Sequence, residues 1–185
     1  MLTKVVNKIK RLLGGNAGSS YPFVYRQTEY QVAFHINNPI EEFRLKNWGG
    51  EKEYVMAMMG ELRPNDIIFD IGSSVGLISI IAGKIAQKGK VISFEPDPEN
   101  TMRLKANFNI NGISNVLVME MAIGVGRSTM QLYTGGSNNF SPSLQKVNGI
   151  EQSIEVQVNS IDNLLSDGSI PYPSVVKIDI GGGEM

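Results

Sequence analysis

The sequence predicts an α/β fold, a mostly parallel sheet with helices on both faces. Three observations predict it. First, strand and helix patterns alternate through the middle of the chain: Ile67–Ile71, a helix from about Val75 to Gln87, Val91–Phe94, a helix from about Pro98 to Asn109, then Val116–Met119. That β-α-β-α-β order calls for parallel strands joined by right-handed crossovers. Second, the run Ile67-Ile68-Phe69-Asp70-Ile71-Gly72-Ser73-Ser74-Val75-Gly76-Leu77 reads as a buried strand, a tight Gly/Ser turn and a helix start. Third, twenty-five positions after Asp70, a second buried strand, Val91-Ile92-Ser93-Phe94, ends in an acid, Glu95. A strand-turn-helix beside an acid-tipped strand describes a site for the adenosine part of a cofactor. Glycines let the backbone approach a ligand closely, and the acid can accept both ribose hydroxyl protons.

The flanking elements follow in order. Leu2, Val5, Val6, Ile9, Leu12 and Leu13 fall at helical spacing among Lys4, Lys8, Lys10 and Arg11, which predicts a basic amphipathic helix. Such a helix either docks on the domain or makes weak peripheral contact with an anionic membrane through residues 2–13. Gly14 to Ser20 is a flexible linker by composition, so residues 1–20 read as an appendage and 21–185 as one domain. In Tyr21–Leu45, Val32, Phe34 and Ile36 alternate with other residues, which predicts a small hairpin. A helix around Glu51–Leu62 follows, with Tyr54, Val55, Met58 and Met59 on one side, and Arg63-Pro64-Asn65-Asp66 makes a turn into the first sheet strand. Asp97 and Pro98 suit the N-cap and first position of the second core helix. After the Asn111-Gly112 turn and the third strand, Thr129–Tyr133 and Ile154–Val158 read as antiparallel strands around a loop rich in Gly, Ser and Asn (Gly135 to Ser143). Ser160 caps a short helix through Leu165, and Val175–Ile180 is the last strand.

Composition bounds the function. A chain of 185 residues with 42% hydrophobic and 19% charged residues is one globular domain by length. A net charge of −1 supplies no basic field to recruit nucleic acid. The lack of cysteine excludes disulfides, thiolate catalysis and cysteine zinc sites, and fits a cytoplasmic protein. His35 is the single histidine, so a histidine triad or multi-histidine metal site cannot be assembled; it lies outside the core motifs and reads as structural. No apolar stretch reaches the roughly 18 residues that span a bilayer, and the basic N-terminal run lacks the uninterrupted apolar region of a secretory signal.

Glycine spacing narrows the cofactor. Asp70-x-Gly72-x-x-x-Gly76 lacks the middle glycine of the dinucleotide pattern G-x-G-x-x-G, and no G-x-x-x-x-G-K-[S/T] run is present. An acid just before the turn repels a pyrophosphate but suits the cationic amino-acid end of S-adenosylmethionine. A nicotinamide-dependent oxidoreductase is disfavoured on the same grounds.

With those residues in view, the sequence resembles a known family. Asp70-Ile71-Gly72-Ser73-Ser74-Val75-Gly76, then Phe94-Glu95-Pro96-Asp97-Pro98, then Lys177-Ile178-Asp179-Ile180-Gly181-Gly182-Gly183-Glu184 resemble the FkbM-type methyltransferases, of the class I S-adenosylmethionine-dependent methyltransferases. The resemblance runs from about Asn38 onward. It implies a Rossmann-like class I methyltransferase sheet of seven strands and methylation of a hydroxyl oxygen. It also implies that the first four core strands lie in the order third, second, first, fourth. The family's last motif reads like K-I-D-V-E-G-A-E; Gly181 stands where its first glutamate would be, and the sequence given stops one residue after that motif. Relative to the family, the C-terminal strands are therefore expected to be missing. Val175-Val176-Lys177-Ile178 is then expected to form an exposed edge prone to self-association.

Methyl transfer from a sulfonium is an in-line displacement, so positioning is the main task. Asp70 is placed to order the turn and meet the cofactor's ammonium. Gly72, Ser73, Ser74 and Gly76 form the approach loop, with the serines offering hydroxyl and amide donors. Glu95 takes the ribose hydroxyls, and Pro96 and Asp97 border the adenine edge. In the family pattern, residues after the third strand flank adenine, which implies Glu120, Met121 and Ala122. Asp179 caps the fourth core strand at the sheet's carboxyl edge, where ligands of open α/β sheets bind. It either positions the acceptor hydroxyl or takes its proton, or else caps the turn that follows. Lys177 pairs with a carboxylate or serves an edge. Asp179 and Glu184 make a weak metal signature, and no metal site is assigned. The expected activity is S-adenosylmethionine-dependent O-methylation of a small molecule, sugar or lipid-linked glycan. The alternative is a cofactor-binding remnant without independent activity, completed by or pairing with another chain.

Overall fold

The computed structural model describes residues 19–25, 28–36, 39–47, 52–134, 142–145 and 152–180. The expected helix of residues 2–13, and Gly181 to Glu184 of the last motif, lie outside the described residues. In chain order the elements are β1 (Ser19–Tyr25), β2 (Thr28–Phe34), α1 (Pro39–Lys46), α2 (Lys52–Glu61), β3 (Ile67–Ile71), α3 (Leu77–Ile85), β4 (Lys90–Phe94), α4 (Pro98–Asn111), β5 (Val116–Met119), β6 (Ala122–Ile123), β7 (Ser128–Tyr133), β8 (Ser153–Asn159), α5 (Ile161–Ser166) and β9 (Val175–Ile178).

The central sheet has four parallel strands in the order β5-β4-β3-β9. From β3 the chain steps outward through β4 to β5, then returns to lay β9 on the other side of β3. Strand order thus reverses at β3, and its carboxyl end becomes the natural site for a ligand. Alternation of side chains sends Ile68, Val91, Val116 and Val175 to one face, where α3 and the N-terminal elements cover them. Phe69, Ile92, Phe94 and Leu117 point to the other face, under Leu164 of α5 and Ile170. Burial on both faces is why β3 and β4 read as near-continuous apolar runs. Phe69 and Phe94 meet edge to face, ring centroids 5.5 Å apart, and brace the tips of β3 and β4 against each other. On β9, Val176 and Ile178 remain about half exposed.

A second sheet, β6-β8-β7, is mixed: β6 runs parallel to β8, and β7 antiparallel to it. The β7–β8 pair matches the predicted antiparallel strands. Strand β6 is an addition, two residues long, which pairs only with the distant β8 and so leaves no local pattern.

Three expectations are corrected at the N-terminal side. The hairpin is β1–β2 and ends at Phe34; Pro39–Lys46 is helical rather than extended. Pro39 at the first helical position and Glu41 and Glu42 in the first turn favour a helix start. Ser19 and Ser20, assigned to the linker, pair with Phe34 and Ala33 in β1. In α2 the buried stripe is Val55 and Met59, four apart, with Met58 packed beside it; Tyr54 is 60% exposed. Among the described residues, no helix is long and apolar enough to cross a membrane.

The open edge of β2 is closed by side chains instead of another strand. Asn111 on α4 accepts from the Ala33 amide at 2.9 Å and donates to the Ala33 carbonyl at 2.7 Å. One turn earlier, Asn107 accepts from the His35 amide at 2.9 Å and donates to the carbonyl of Val75 at 2.9 Å. Two asparagines at helical spacing therefore satisfy a strand edge, as buried backbone groups require, and Asn107 also ties the hairpin to the turn after β3. The backbone of His35 is held on its other side too, its carbonyl accepting from Arg103 at 3.2 Å. Asn111→Ala leaves both Ala33 groups unpaired and should lower stability by about 1–3 kcal/mol in chemical denaturation. Asn109→Ala, on the exposed side of the same helix, should change stability by less than about 0.5 kcal/mol.

Candidate functional site

The site grows from one polar row laid across the sheet. Register places Asp70 of β3 between Ser93 of β4 and Lys177 of β9, all on the face that α3 covers. Asp70 is fully buried, a position a carboxylate tolerates only with charge and hydrogen-bond partners. Lys177 supplies the charge, its Nζ 3.0 Å from Oδ1. Ser79 of α3 donates to Oδ2 at 2.6 Å. That uses the single proton of Ser79, so Ser93, 2.6 Å away, is the donor to Ser79. Lys177 also donates to the carbonyl of Gly72 at 3.1 Å.

The turn is built on this row. The amides of Gly72 and Ser73 both donate to the carbonyl of Phe94, at 3.0 and 3.1 Å, and the Ser73 hydroxyl donates to the Asp70 carbonyl at 2.7 Å. Gly72 has φ 80°, and a Cβ there would lie 1.9 Å from the carbonyl oxygen of Asp179. Its glycine is thus demanded by the tip of β9 as well as by its own backbone. Ser74 holds a left-handed conformation at φ 48°, uncommon for a residue with a side chain. That geometry turns its amide toward Glu95 Oε2, 2.8 Å away.

Glu95 stands at the tip of β4, 5% exposed. The Asp97 amide donates to Oε1 at 3.0 Å, and the Asn100 side-chain amide lies 3.4 Å from the same oxygen. Burial pushes the Glu95 carboxyl above its ordinary value; the bonds from Asp97, Ser74 and Asn100 oppose that rise, and the Asp97 charge adds to it. The folded protein therefore holds this proton more tightly than the unfolded chain does. The stability it contributes is fullest below the ordinary glutamate value and is lost as pH rises through the raised one.

These tips line a cavity of about 380 Å³, within the roughly 300–1,000 Å³ usual for small-molecule sites. Gly72, Ser74, Glu95, Pro96, Ala122 and Asp179, all candidates from sequence, line it together. Asp179 is 60% exposed on its side chain, with Oδ2 3.9 Å from Lys177 Nζ. The other candidates lie elsewhere. Asp70 is enclosed in the polar row, and Ser73 is buried beneath the turn. Gly76 begins α3, with Leu104 where its Cβ would be. Asp97 is the N-cap of α4, accepting from the Glu99 and Asn100 amides. Glu120 is on the surface, paired with Lys105.

Met121, also assigned from sequence, joins the candidates that line the cavity; the rest of the lining was not assigned from sequence. Asn100 sits in the first turn of α4, three positions past the Asp97 cap, and that spacing was the available signal. Met130 and Leu132 share one side of β7, an alternation visible in sequence without a partner to explain it. Pro142 to Gln145 reach the cavity because Tyr133 and Ser143 exchange two backbone bonds, at 2.8 and 3.1 Å.

The methyltransferase FkbM domain matches residues 70–185, and the chain belongs to that family. The hexuronic acid methyltransferase AglP of Haloferax volcanii is 27% identical over 169 residues, covering 89% of this chain and 66% of that protein. The chain thus spans just under two thirds of that relative's length. Among solved structures, the methyltransferase FkbM of Methylobacillus flagellatus superposes with a TM-score of 0.45 at 19% identity, over 78% of this chain and 36% of that one. M. jannaschii TYW2 in complex with AdoMet gives 0.39 at 17%, over 55% and 42%.

The buried pair makes a prediction about stability. Lys177→Met strands the Asp70 carboxylate and should destabilise by about 3–5 kcal/mol in urea titration. Adding Asp70→Asn should recover at least about 1 kcal/mol of that loss, since two residues in contact do not act additively. Losses that simply add would mean the two groups do not depend on each other.

Proposed function

We propose that this chain is an S-adenosylmethionine-dependent methyltransferase that methylates a hydroxyl oxygen of a small molecule, sugar or lipid-linked glycan. The observation that carries the cofactor reading is the cavity at the reversal of strand order, with the Glu95 carboxylate at its edge. Both oxygens of Glu95 are fixed by backbone amides; Oε1 also meets the Asn100 amide, and Oε2 keeps a lone pair for a ribose hydroxyl. Met121, Ala122 and Ile123 give the apolar wall that a purine ring needs. The residues present fit the cofactor, which when bound supplies a methyl group on a sulfonium. The protein's part is to hold that methyl in line with an acceptor oxygen and to keep the two reactants together. A sugar or glycan acceptor is supported by the hexuronic acid methyltransferase among the relatives.

Glu95→Ala removes a charge-assisted bond of about 1.5–3 kcal/mol. Affinity for S-adenosylhomocysteine, read by isothermal titration, should fall roughly tenfold or more. An unchanged dissociation constant in a folded variant would take Glu95 out of the site.

The reaction's pH dependence carries a sign. Ribose hydroxyls donate to ionised Glu95, so affinity should fall as pH is lowered through the raised carboxyl value, which lies above the ordinary glutamate range. Glu95→Gln has no charge to lose and should flatten that limb. A wild-type affinity independent of pH across the acid range would contradict the assignment.

A further inference from the structure

Resting on that cofactor reading, we infer that the acceptor is an uncharged hydroxyl compound bearing an apolar group, which lies on a wall formed by Met130, Leu132, Pro142 and Leu144. This wall stands apart from the surface given to adenine. Register aligns Ala122 of β6 with Val158 of β8, and Val158 with Ser128 of β7. Met130 and Leu132 are therefore two strands away from β6, roughly 10 Å, and further along the sheet. A purine laid on Met121 to Ile123 leaves them uncovered. Pro142 and Leu144 continue the same side of the cavity. The two backbone bonds between Tyr133 and Ser143, at 2.8 and 3.1 Å, hold that segment beside β7.

The chemistry of the wall selects its occupant. Leu132 is buried and Met130 is 43% exposed, so Met130 presents an adaptable thioether side chain to whatever enters. A bare sugar placed here would bury hydroxyls that need partners. The polar residues on this side, Ser143 and Gln145, already meet each other, the Gln145 backbone amide donating to the Ser143 hydroxyl at 3.1 Å. An alkyl chain or alicyclic ring gives up no hydrogen bond in the same contact, and its surface leaves water.

Charge narrows the acceptor further. Glu95 and Asp179 are the charged side chains among the described residues that line the cavity. Lys177 comes within 3.9 Å of Asp179 but is buried and directed to Asp70 and the Gly72 carbonyl, at 3.0 and 3.1 Å. Gly135 to Ser141, which leads from β7 toward Pro142, contains no charged residue. A carboxylate on the acceptor would therefore meet like charge, in a partly enclosed site where salt screens poorly.

Three glycosides test this by isothermal titration on the full chain saturated with S-adenosylhomocysteine, each kept below its micelle concentration. Octyl β-glucoside has a neutral sugar and an apolar tail. Methyl β-glucoside has the same sugar without the tail, and octyl β-glucuronide the same tail with a carboxylate. The first should bind at least about tenfold more tightly than either of the others. Met130→Ser should weaken octyl glucoside by about threefold or more and leave S-adenosylhomocysteine unchanged. Met130 is exposed on an outer strand, so this variant should fold, which its melting curve verifies. Asp179→Asn should narrow the gap between octyl glucoside and octyl glucuronide. Octyl glucoside that fails to bind, binds no better than methyl glucoside, or is indifferent to Met130→Ser would overturn the proposal. So would tighter binding of the glucuronide, which would assign its carboxylate to a cation such as Lys146, next in sequence after Gln145. Failure of the wild-type chain to bind S-adenosylhomocysteine would remove the cofactor reading itself, and the inference with it.

Discussion

The pairing of Asp70 with Lys177 is the interaction on which the rest of the site depends. It spans β3 and β9, the two strands between which the sheet changes direction, and it is sealed from water. Ser79 and Ser93 extend it into a row that links α3 and β4 to the same carboxylate. A row of this kind favours one arrangement, because sliding β9 by a residue would send Lys177 to the opposite face and leave Asp70 unpaired. The apolar packing around it is less particular, since Val175 and Val176 differ in face but not in kind.

From that row the site follows by contact. Lys177 holds the Gly72 carbonyl, the Gly72 amide reaches the end of β4, and the left-handed Ser74 aims its amide at Glu95. Each step is short and directional, so the carboxylate at the β4 tip is set before any ligand arrives. Preorganisation of this sort reduces what binding must order. Asn107 extends the chain of contacts outward, bonding the Val75 carbonyl on one side and the β2 edge on the other. The N-terminal hairpin thereby supports the turn from outside the core sheet.

The legible part of this fold was the part written in local pattern. Ile67–Ile71, Val91–Phe94 and Val116–Met119 declare themselves as buried parallel strands, and Glu95 lies at the tip of the second of them, on the cavity. Asp97 and Ser160 cap their helices as their positions require, each accepting from a first-turn amide. Non-local pairing was the illegible part. Asp70 looks like a ligand-facing acid until Lys177, more than a hundred positions later, is brought beside it. Strand β6 and the segment at Pro142 to Gln145 gain their place only from β8 and from Tyr133. Beyond Met121 and Ala122, which the family resemblance implied, the wall of the cavity away from the glycine turn was for that reason invisible in sequence. Pro39–Lys46 failed for a different reason: the alternation of β2 was carried past Phe34 into a segment whose proline and paired glutamates signal a helix.

The central claim is that the tips of β3, β4 and β9 together hold an adenosine cofactor. Amide hydrogen exchange with and without S-adenosylhomocysteine tests it most directly, because it reads the site residue by residue. The account predicts added protection at Gly72 to Ser74, at Glu95 to Asp97, excepting Pro96, which has no amide, and at Met121 to Gly124, with the outer strand β7 beyond Leu132 unchanged. Protection centred on another surface, or none at saturating ligand, would contradict it.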